Sequence, residues 1–457
     1  MGNILQNITS VSPCDLTPAG DFTLPYSDTP IQTKLSHLRP AIAHILQRAL
    51  EGKMLNHEEA EALFYCHGPE TDALLHTADI VRELRTGNDG SFVITRNINF
   101  TNVCHMGCQF CNFGVNKNAG DAEFLAPHQV AARAKEAHAR GATEICVQGG
   151  LHPDLPASFY GDLLDTVSST VPDVHIHAYS PFEIWYGAMK GRKSYTDLLT
   201  DLKQRGLASM PGTAAEILDT EVRRKLTKNK LSTENWLKII ETAHNVGLPT
   251  TSTIMYGHID GPSHWAAHLI LLRDMQARTG GFTEFVPLGF IHNDSPLYKN
   301  NPSEVRTGPT ADEHFKMHAI ARLVLQGYID NIQASWVKMG PDMASKVLRA
   351  GANDLGGTLM NESISRAAGA SHGQEIVPRD MVNFIQRAGL NAHQRNTLYD
   401  VITPYGRDKK PAHQTALVDT GTARPISEKA RPAAPQKDKT VFSPFNTSSH
   451  IPVKVSA

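Results

Sequence analysis

The chain is organised around Cys104-His-Met-Gly-Cys108-Gln-Phe-Cys111, in which three cysteines follow the spacing CxxxCxxC. The preceding residues 92–98, Phe-Val-Ile-Thr-Arg-Asn-Ile, have the composition of a β-strand, and the polar stretch 99–102 predicts a turn. The cysteines are therefore expected on a loop that leaves a strand. Thiolates select soft metals, namely zinc, copper(I) or iron–sulfur clusters, so this loop is a candidate metal site.

The number of cysteines narrows the kind of metal centre. A 4Fe–4S cluster is ordinarily held by four cysteines, whereas this motif has three and no fourth is nearby. One iron would then stay open, as in catalytic rather than closed structural metal sites. The alternatives are a chance grouping and a zinc site with His105 as fourth ligand. Zinc motifs usually bring a second, distant Cys or His pair, which is not evident here.

Composition favours a globular enzyme and argues against several other classes of protein. Of the 457 residues, 40% are hydrophobic and 7% aromatic, which is enough for a sizeable core. The net charge of −2 gives no electrostatic reason to expect a nucleic-acid partner or a membrane surface. No apolar run approaches the roughly 18 residues of a membrane span, and we find no secretory signal.

Cysteine use outside the motif predicts a reducing compartment. Cys14, Cys66 and Cys146 are scattered along the chain rather than spaced as a disulfide framework. We therefore expect a cytoplasmic protein.

Strand and helix patterns alternate through the middle of the chain. Strands are predicted at 92–98, 143–148, 174–178, 207–210, 250–256, 282–288, 331–335 and 352–355. Helical patterns separate them, including one at 215–226. Eight strand–helix units predict an α/β fold, specifically a (βα)8 barrel of the TIM type.

Smaller segments are predicted on both sides of the barrel. The expected domains are an irregular N-terminal arm at 1–36, a helical cap at 37–90, the barrel at 91–370, C-terminal helices at 371–409 and a disordered tail at 410–457. The cap is expected at the bottom of the barrel, with a substrate lid as the alternative. The C-terminal helices are predicted at 379–387 and 394–401. The tail has few large apolar residues, so it cannot bury enough surface to order itself.

Polar residues follow most of the predicted strands, where reactive groups gather in such barrels. The candidate site residues outside the cysteine loop are Gln148, Gly149, Gly150, His175, His177, Ser180, Glu216, Tyr256, His292, Asn353, Asp354 and Glu362. The two glycines either admit a ligand close to the backbone or form a plain turn. His175 and His177 share one face of a strand and either line the barrel or bind a metal, although no carboxylate accompanies them. Glu216 either caps a helix together with Thr213 or points into the site.

Three stretches carry a resemblance to a known family. They are Asn97-Ile-Asn-Phe-Thr-Asn-Val-Cys104 with its continuation to residue 113, Pro211-Gly-Thr-Ala-Ala-Glu216, and the region 351–370, which contains Gly351-Ala-Asn-Asp-Leu-Gly-Gly-Thr-Leu359. The cysteine motif resembles that of the radical S-adenosylmethionine (SAM) superfamily. All three stretches together are similar to a radical SAM group that includes deazaflavin (FO) synthase and two menaquinone-pathway enzymes. The second FO synthase subunit fits best, over residues of about 39–402.

The resemblance implies cofactors and a set of binding residues. A 4Fe–4S cluster would be held by Cys104, Cys108 and Cys111, with SAM on the open iron. Gln148, Gly149, Gly150, Ser180, Glu216 and Tyr256 would bind SAM. His175, His177, His292, Asn353, Asp354 and Glu362 would bind substrates.

The resemblance also implies a reaction and partners. Tyrosine would be cleaved between Cα and Cβ, and its 4-hydroxybenzyl group joined to 5-amino-6-(D-ribitylamino)uracil, leaving 2-iminoacetate, in the biosynthesis of coenzyme F-420. FO synthase subunit 1 would act next, and a reductase or ferredoxin-type protein would donate electrons. The alternatives are a menaquinone-pathway enzyme (aminofutalosine synthase or dehypoxanthine futalosine cyclase type) on the same fold and, from another class, an iron–sulfur electron carrier or a zinc-stabilised interaction protein.

Overall fold

The computed structural model describes residues 22–227 and 229–417. The predictions for 1–21 and 418–457, which include most of the tail, lie outside this range. The described strands are β1 (Asp89–Val93), β2 (Thr95–Asn99), β3 (Glu144–Gln148), β4 (His175–Ala178), β5 (Thr250–Tyr256), β6 (Phe282–Gly289), β7 (Asp354–Gly357), β8 (Asn391–Arg395) and β9 (Val401–Gly406).

Parallel pairing joins these strands into a closed ring. β2 pairs with β3, β3 with β4, and β5 with β6. Isolated bridges at Ser209 and Met210 connect β4 to β5, and bridges at Ile332 and Gln333 connect β6 to β7. β7 pairs with β1, which runs on into β2 and closes the barrel. The predicted (βα)8 barrel is thus confirmed, with the predicted strands 207–210 and 331–335 each reduced to two isolated bridges.

Helices cover the outside of the ring. Those after the first strand position are Pro127–Ala139, Phe159–Thr170, Pro181–Gly191, Tyr195–Gln204, Thr220–Leu226, Thr233–Asn245, Pro262–Thr279, Pro296–Asn300, Ala311–Leu325, Trp336–Met339, Pro341–Val347, Ile364–Ala367 and Pro378–Arg387. Their starts follow ordinary capping chemistry: Ser194, Ser232 and Thr310 each accept a hydrogen bond from a backbone N–H of the first turn. Because helices cover the outer face of the ring and the inner face is turned to the lumen, β5 is buried along its whole length.

Between residue 22 and the barrel, four further helices are described, at Ile31–Ser36, Pro40–Leu50, His57–Phe64 and Pro69–Thr86. The first lies where the irregular arm was expected. The group packs on the outer helices Pro262–Thr279 and Ala311–Leu325. Arg85 pairs with Asp330 at 2.6 Å, just before a strand position, so these helices lie near the amino ends of the strands. That is the end opposite the cysteine loop.

The segment after the last outer helix differs from its prediction. The prediction of a helix at 394–401 is wrong, because β8 and β9 form an antiparallel hairpin there. β8 also pairs in parallel with β1, so long-range strand pairing overrides the local helical pattern. Residues 410–417 have no helix or strand, yet the Thr415 carbonyl accepts a hydrogen bond from Arg140 at 3.1 Å.

None of the helices in the described part of the chain is long and apolar enough to cross a membrane.

Candidate functional site

The cysteine loop closes the carboxyl-terminal mouth of the barrel and is tied to several walls. The Gln109 N–H donates to the Leu226 carbonyl at 3.1 Å, and the Gln109 carbonyl accepts from the Leu297 N–H at 2.7 Å. The Asn112 amide donates to the Ala367 carbonyl at 2.7 Å. The loop is therefore held by segments that follow three other strand positions.

The three motif thiols are half-buried neighbours. Burial raises the pKa of the Cys108 thiol to about 12, the Lys230 ammonium lowers it, and Cys111 and Cys104 raise it further. Burial likewise raises the pKa of Cys104. The three thiols are therefore near enough to influence one another electrostatically, and the Lys230 ammonium lies near them.

The donor chemistry of this loop fits a thiolate-bound iron–sulfur cluster. Three soft donors occur within one short loop, and Lys230 favours the ionised form of Cys104 and Cys108. Within residues 22–227 and 229–417, no three His, Cys, Asp or Glu side chains already surround a single point. Binding would therefore have to draw the thiols together. His105, the fourth ligand of the zinc alternative, already engages one ring nitrogen with the Leu151 carbonyl at 2.7 Å.

Gly149 and Gly150 follow β3 and lie under the cysteine loop. A methyl group at Gly149 would come within 2.5 Å of the Phe100 ring, and one at Gly150 would collide with the Val103 carbonyl and reach 3.0 Å from Cys104 Cβ. The Gly150 N–H donates to the Thr101 carbonyl at 2.8 Å. Both glycines therefore allow the loop itself to approach the end of β3 closely. The structure thus gives the two glycines a packing role, and the close approach of a ligand stays a prediction.

Ser180 begins the helix Pro181–Gly191, and its polar atoms are occupied by Glu183. Its N–H and hydroxyl both donate to the Glu183 carboxylate, at 2.7 and 2.8 Å. The Gly149 N–H donates to the same carboxylate at 3.1 Å. Burial raises the pKa of Glu183 to about 7. Glu183 thus links the glycine turn to the next strand end.

Glu216 lies beside the cysteine loop rather than in a helix cap. Glu216 lies before the helix, with a left-handed backbone conformation (φ of 46°), and the helix begins only at Thr220. The predicted helix start at 215 and capping box with Thr213 are therefore wrong. The Glu216 carboxylate pairs with the Lys230 ammonium, which lies 4.8 Å from the centre of the Phe110 ring. Glu216 is thereby placed next to the motif residue that precedes Cys111.

A polar layer crosses the lumen below the loop. Strand register aligns Asn97 with Cys146, Cys146 with His177, and His177 with Ser209. His175 and His177 both bond the Ser209 hydroxyl at 2.7 Å. Burial lowers the pKa of His177 to about 4 and also lowers that of His175. Both rings are neutral at pH 7, so they line the lumen as hydrogen-bonding groups.

Three other predicted residues lie at or near the mouth of the barrel. Gln148 donates from its side-chain amide to the Thr213 hydroxyl at 3.0 Å. The Glu362 carboxylate accepts from the Asn97 amide at 2.7 Å. The His292 ring packs edge-on against Tyr298, with centroids 4.8 Å apart, in the loop that holds Gln109.

Tyr256 is not in the site, which corrects the prediction. Its hydroxyl bonds His314 at 2.7 Å and its ring packs against Trp265, both on outer helices. Side chains alternate along β5, and Tyr256 falls on the face that is turned away from the lumen. The prediction failed because strand position alone does not give the side-chain direction.

Asp354 is also outside the mouth of the barrel. Its carboxylate accepts from both sides of the Arg395 guanidinium, at 2.6 and 2.9 Å, and from the Ser91 hydroxyl at 2.5 Å. Arg395 further reaches Glu284, to which Tyr399 donates at 2.5 Å. These residues form the barrel floor, because Asp354 begins its strand and Arg395 comes from the C-terminal hairpin.

Asn353 has a structural role at the same end. Its side-chain oxygen accepts from the Ile332 N–H at 2.8 Å and from Arg322 at 3.0 Å. The predicted substrate contacts of Asn353 and Asp354 are corrected accordingly. The strand begins at Asp354 rather than ending there, so both residues face the opposite end of the barrel from the cysteine loop.

Sequence reasoning missed three charged residues of the interior. Glu183 had a detectable signal, since Ser180-Pro-Phe-Glu183 is a capping-box sequence. Lys230 and Arg395 had none, because their partners are brought to them by tertiary structure.

Comparisons with known proteins agree with this architecture. Residues 98–272 match the Radical SAM superfamily, and 279–405 match the CofH/MqnC C-terminal region. A crystal structure of HydG, a maturase of the FeFe-hydrogenase, superposes with a TM-score of 0.62 at 14% identity, covering 80% of this chain and 79% of HydG. This likeness supports the fold.

Curated relatives are considerably closer in sequence. FO synthase of Mycobacterium leprae is 50% identical over 342 residues, 75% of this chain but 39% of the relative. The chain thus spans about two fifths of the length of this FO synthase. The 5-amino-6-(D-ribitylamino)uracil--L-tyrosine 4-hydroxyphenyl transferase of Methanothermobacter thermautotrophicus is 46% identical over 355 residues, 78% of this chain and 96% of the relative. With this coverage and the cysteine loop over the barrel mouth, the chain belongs to the radical SAM family of the FO synthases and the archaeal 4-hydroxyphenyl transferase.

Proposed function

We propose that this protein cleaves L-tyrosine and joins its 4-hydroxybenzyl group to 5-amino-6-(D-ribitylamino)uracil. Its archaeal relative is named as a 4-hydroxyphenyl transferase for these two compounds. The products would be the deazaflavin precursor, 2-iminoacetate, methionine and 5'-deoxyadenosine. The observation that carries the proposal is the 46% identity that extends over 96% of that relative. Membership of the radical SAM superfamily implies a 4Fe–4S cluster and SAM.

The residues that would hold the cluster are Cys104, Cys108 and Cys111. When bound, the cluster and SAM supply the one-electron chemistry that starts the reaction. Gln148 and Glu216 have polar side chains near the cysteine loop and would contact SAM. Gly149, Gly150 and Ser180 would act mainly by shaping the turn, because their backbone or side-chain donors already have protein acceptors.

The lumen would bind the uracil through neutral groups. Asn97, His177 and Ser209 offer amide, imidazole and hydroxyl groups in one layer, which suits the many hydrogen-bonding atoms of a ribityl-aminouracil. Glu362 and His292 lie nearer the mouth, where tyrosine would meet SAM. The cysteine loop above them would exclude water from the reacting groups.

Two protein partners belong to the same proposal. FO synthase subunit 1 would receive the coupled product; the 457 residues carry one CxxxCxxC motif. A reductase or ferredoxin-type protein would supply the electron.

Anaerobic turnover tests the proposed function. The reconstituted protein is mixed with dithionite, SAM, tyrosine and the ribityl-aminouracil, and products are identified by mass spectrometry. Coupled product together with 5'-deoxyadenosine is expected. A parallel reaction contains futalosine-type substrates, and turnover of these alone would move the protein to the menaquinone branch. If a protein with full cluster absorbance forms neither coupled product nor 5'-deoxyadenosine, the catalytic proposal is refuted.

A further inference from the structure

Lys338 stands on the short helix Trp336–Met339, directly after a strand position at the carboxyl end of the barrel. Its side chain is half-buried. Across the residues that the structure describes, its ammonium has no hydrogen-bond or ion-pair partner. By contrast, the Lys230 ammonium beside the same loop is paired with Glu216.

The helix that carries Lys338 lies at the same end of the barrel as the cysteine loop, and charged groups of this end act on its ammonium. Burial lowers the pKa of Lys338, while Glu362, Glu216 and Cys111 raise it. Both carboxylates already have closer partners. Glu362 accepts from the Asn97 amide at 2.7 Å and from the Ser365 N–H at 2.6 Å. The three N–H donors of Lys338 therefore remain available to a ligand.

A half-buried ammonium without a hydrogen-bonded partner is costly, and an anionic ligand would offset that cost. Of the two proposed substrates, the ribityl-aminouracil offers mainly neutral hydrogen-bonding groups, whereas an amino acid carries a carboxylate. The ligand best matched to this group is therefore the amino acid.

Resting on the proposed function, we infer that Lys338 binds the α-carboxylate of the amino-acid substrate. Held there, the carboxylate fixes the adjacent amino group and Cα on the side of the mouth that faces Cys111. Glu362, on the same side, complements the positive charge of the amino group. Lys338 is thus a specificity-determining residue that selects amino acids over amines of the same shape.

Equilibrium dialysis on the reconstituted protein tests this assignment. With SAM present and reductant omitted, binding of tyrosine, tyramine and the ribityl-aminouracil is measured without turnover. Wild type is expected to bind tyrosine at least about tenfold more tightly than tyramine, because a buried charge pair is lost with the carboxylate. Lys338→Met should weaken tyrosine binding by at least about tenfold and leave tyramine and uracil binding within about twofold. Lys338→Arg should restore most of the tyrosine affinity.

Lys346→Met is the matched control, since it removes an exposed lysine from the next helix. It should change none of the three affinities. Equal binding of tyrosine and tyramine by wild type would overturn the assignment without any variant. So would a Lys338→Met protein in which uracil binding falls as much as tyrosine binding. A wild type that binds tyrosine selectively but forms no coupled product would instead refute the proposed function and leave the Lys338 assignment standing.

Discussion

At the scale of single residues, the three motif thiols differ from the other cysteines by their position. Cys66 is a buried cysteine in the N-terminal helices, and its thiol pKa is also raised to about 12 by burial. Burial alone therefore does not mark a ligand. What distinguishes Cys104, Cys108 and Cys111 is that they influence one another and lie beside Lys230.

Cys108→Ala is predicted to abolish SAM cleavage without unfolding the barrel. It removes one of three proposed cluster ligands but leaves the anchors of the loop in place. Formation of 5'-deoxyadenosine measures the loss, and circular dichroism measures the fold. Cys66→Ala is the control and should retain wild-type iron content. Normal deoxyadenosine production by Cys108→Ala would refute the cluster assignment.

Gly150→Ala is predicted to disturb the cysteine loop. The added methyl group would meet the Val103 carbonyl and the Cys104 side chain, so the loop must shift. Overpacking of this kind costs about 1–3 kcal/mol, and we expect lower iron content after reconstitution. Gly120→Ala is the matched control, because a methyl group there has no neighbour within 4 Å. Equal iron content in the two variants would contradict the close-packing role of Gly150.

Glu183 is predicted to make stability depend on pH. Burial raises its pKa from 4.5 to about 7, so the folded protein holds this proton more tightly than the unfolded chain does. Its contribution to stability is therefore present below about pH 4.5 and is lost as the pH rises towards 7. Glu183→Gln is neutral at every pH and removes this pH dependence. Urea denaturation should show that the variant gains stability relative to wild type as the pH rises from about 4.5 to about 7. A stability difference that stays constant across this range would exclude the titration of Glu183.

At the scale of elements, the C-terminal hairpin is part of the barrel. β8 extends the sheet beside β1, and Arg395 at its end forms the floor with Asp354 and Glu284. The Arg395 guanidinium also stacks on Tyr399, 3.9 Å from the ring centre. The hairpin therefore closes the lumen opposite the cysteine loop and leaves the loop end as the entrance.

Arg395→Met is predicted to destabilise the protein strongly. It leaves the fully buried Asp354 carboxylate without its cation, which typically costs about 3–5 kcal/mol. The urea midpoint measures this loss. Arg387→Met is the control, since the partly exposed Arg387–Asp342 pair should contribute less than about 1 kcal/mol. The double variant Arg395→Met with Asp354→Asn should recover part of the stability. Similar midpoints for the Arg395 and Arg387 variants would show that the floor pair is dispensable.

At the scale of the whole molecule, the repeated strand–helix pattern was sufficient to predict the barrel. Each unit depends on periodicity within ten or so neighbouring residues, so sequence reveals it. The strand prediction at 250–256 agrees with the structure at both ends. The helix prediction at 394–401 failed because that segment pairs with β1, about 300 residues earlier in the chain.

The sequence located candidate site residues correctly only where a reactive motif directly follows the end of its strand. The cysteine motif and Gly149-Gly150 follow strands directly, and the structure brings them together. Tyr256, Asn353 and Asp354 also occur next to strands, but the direction of the side chain, or the end of the strand, places them elsewhere.

The sequence by itself determined the metal-binding chemistry, the eight strand–helix units and the end of the barrel at which the loop lies, because each depends on residues close together in the chain. Only the tertiary structure decided which charges meet: Arg395 with Asp354 on the floor, Lys230 with Glu216 beside the loop, and Lys338 with no hydrogen-bonded or ion-paired partner among the described residues. The physical reason is that the stability of a buried charge depends on the groups folded around it, and local sequence patterns do not specify those groups.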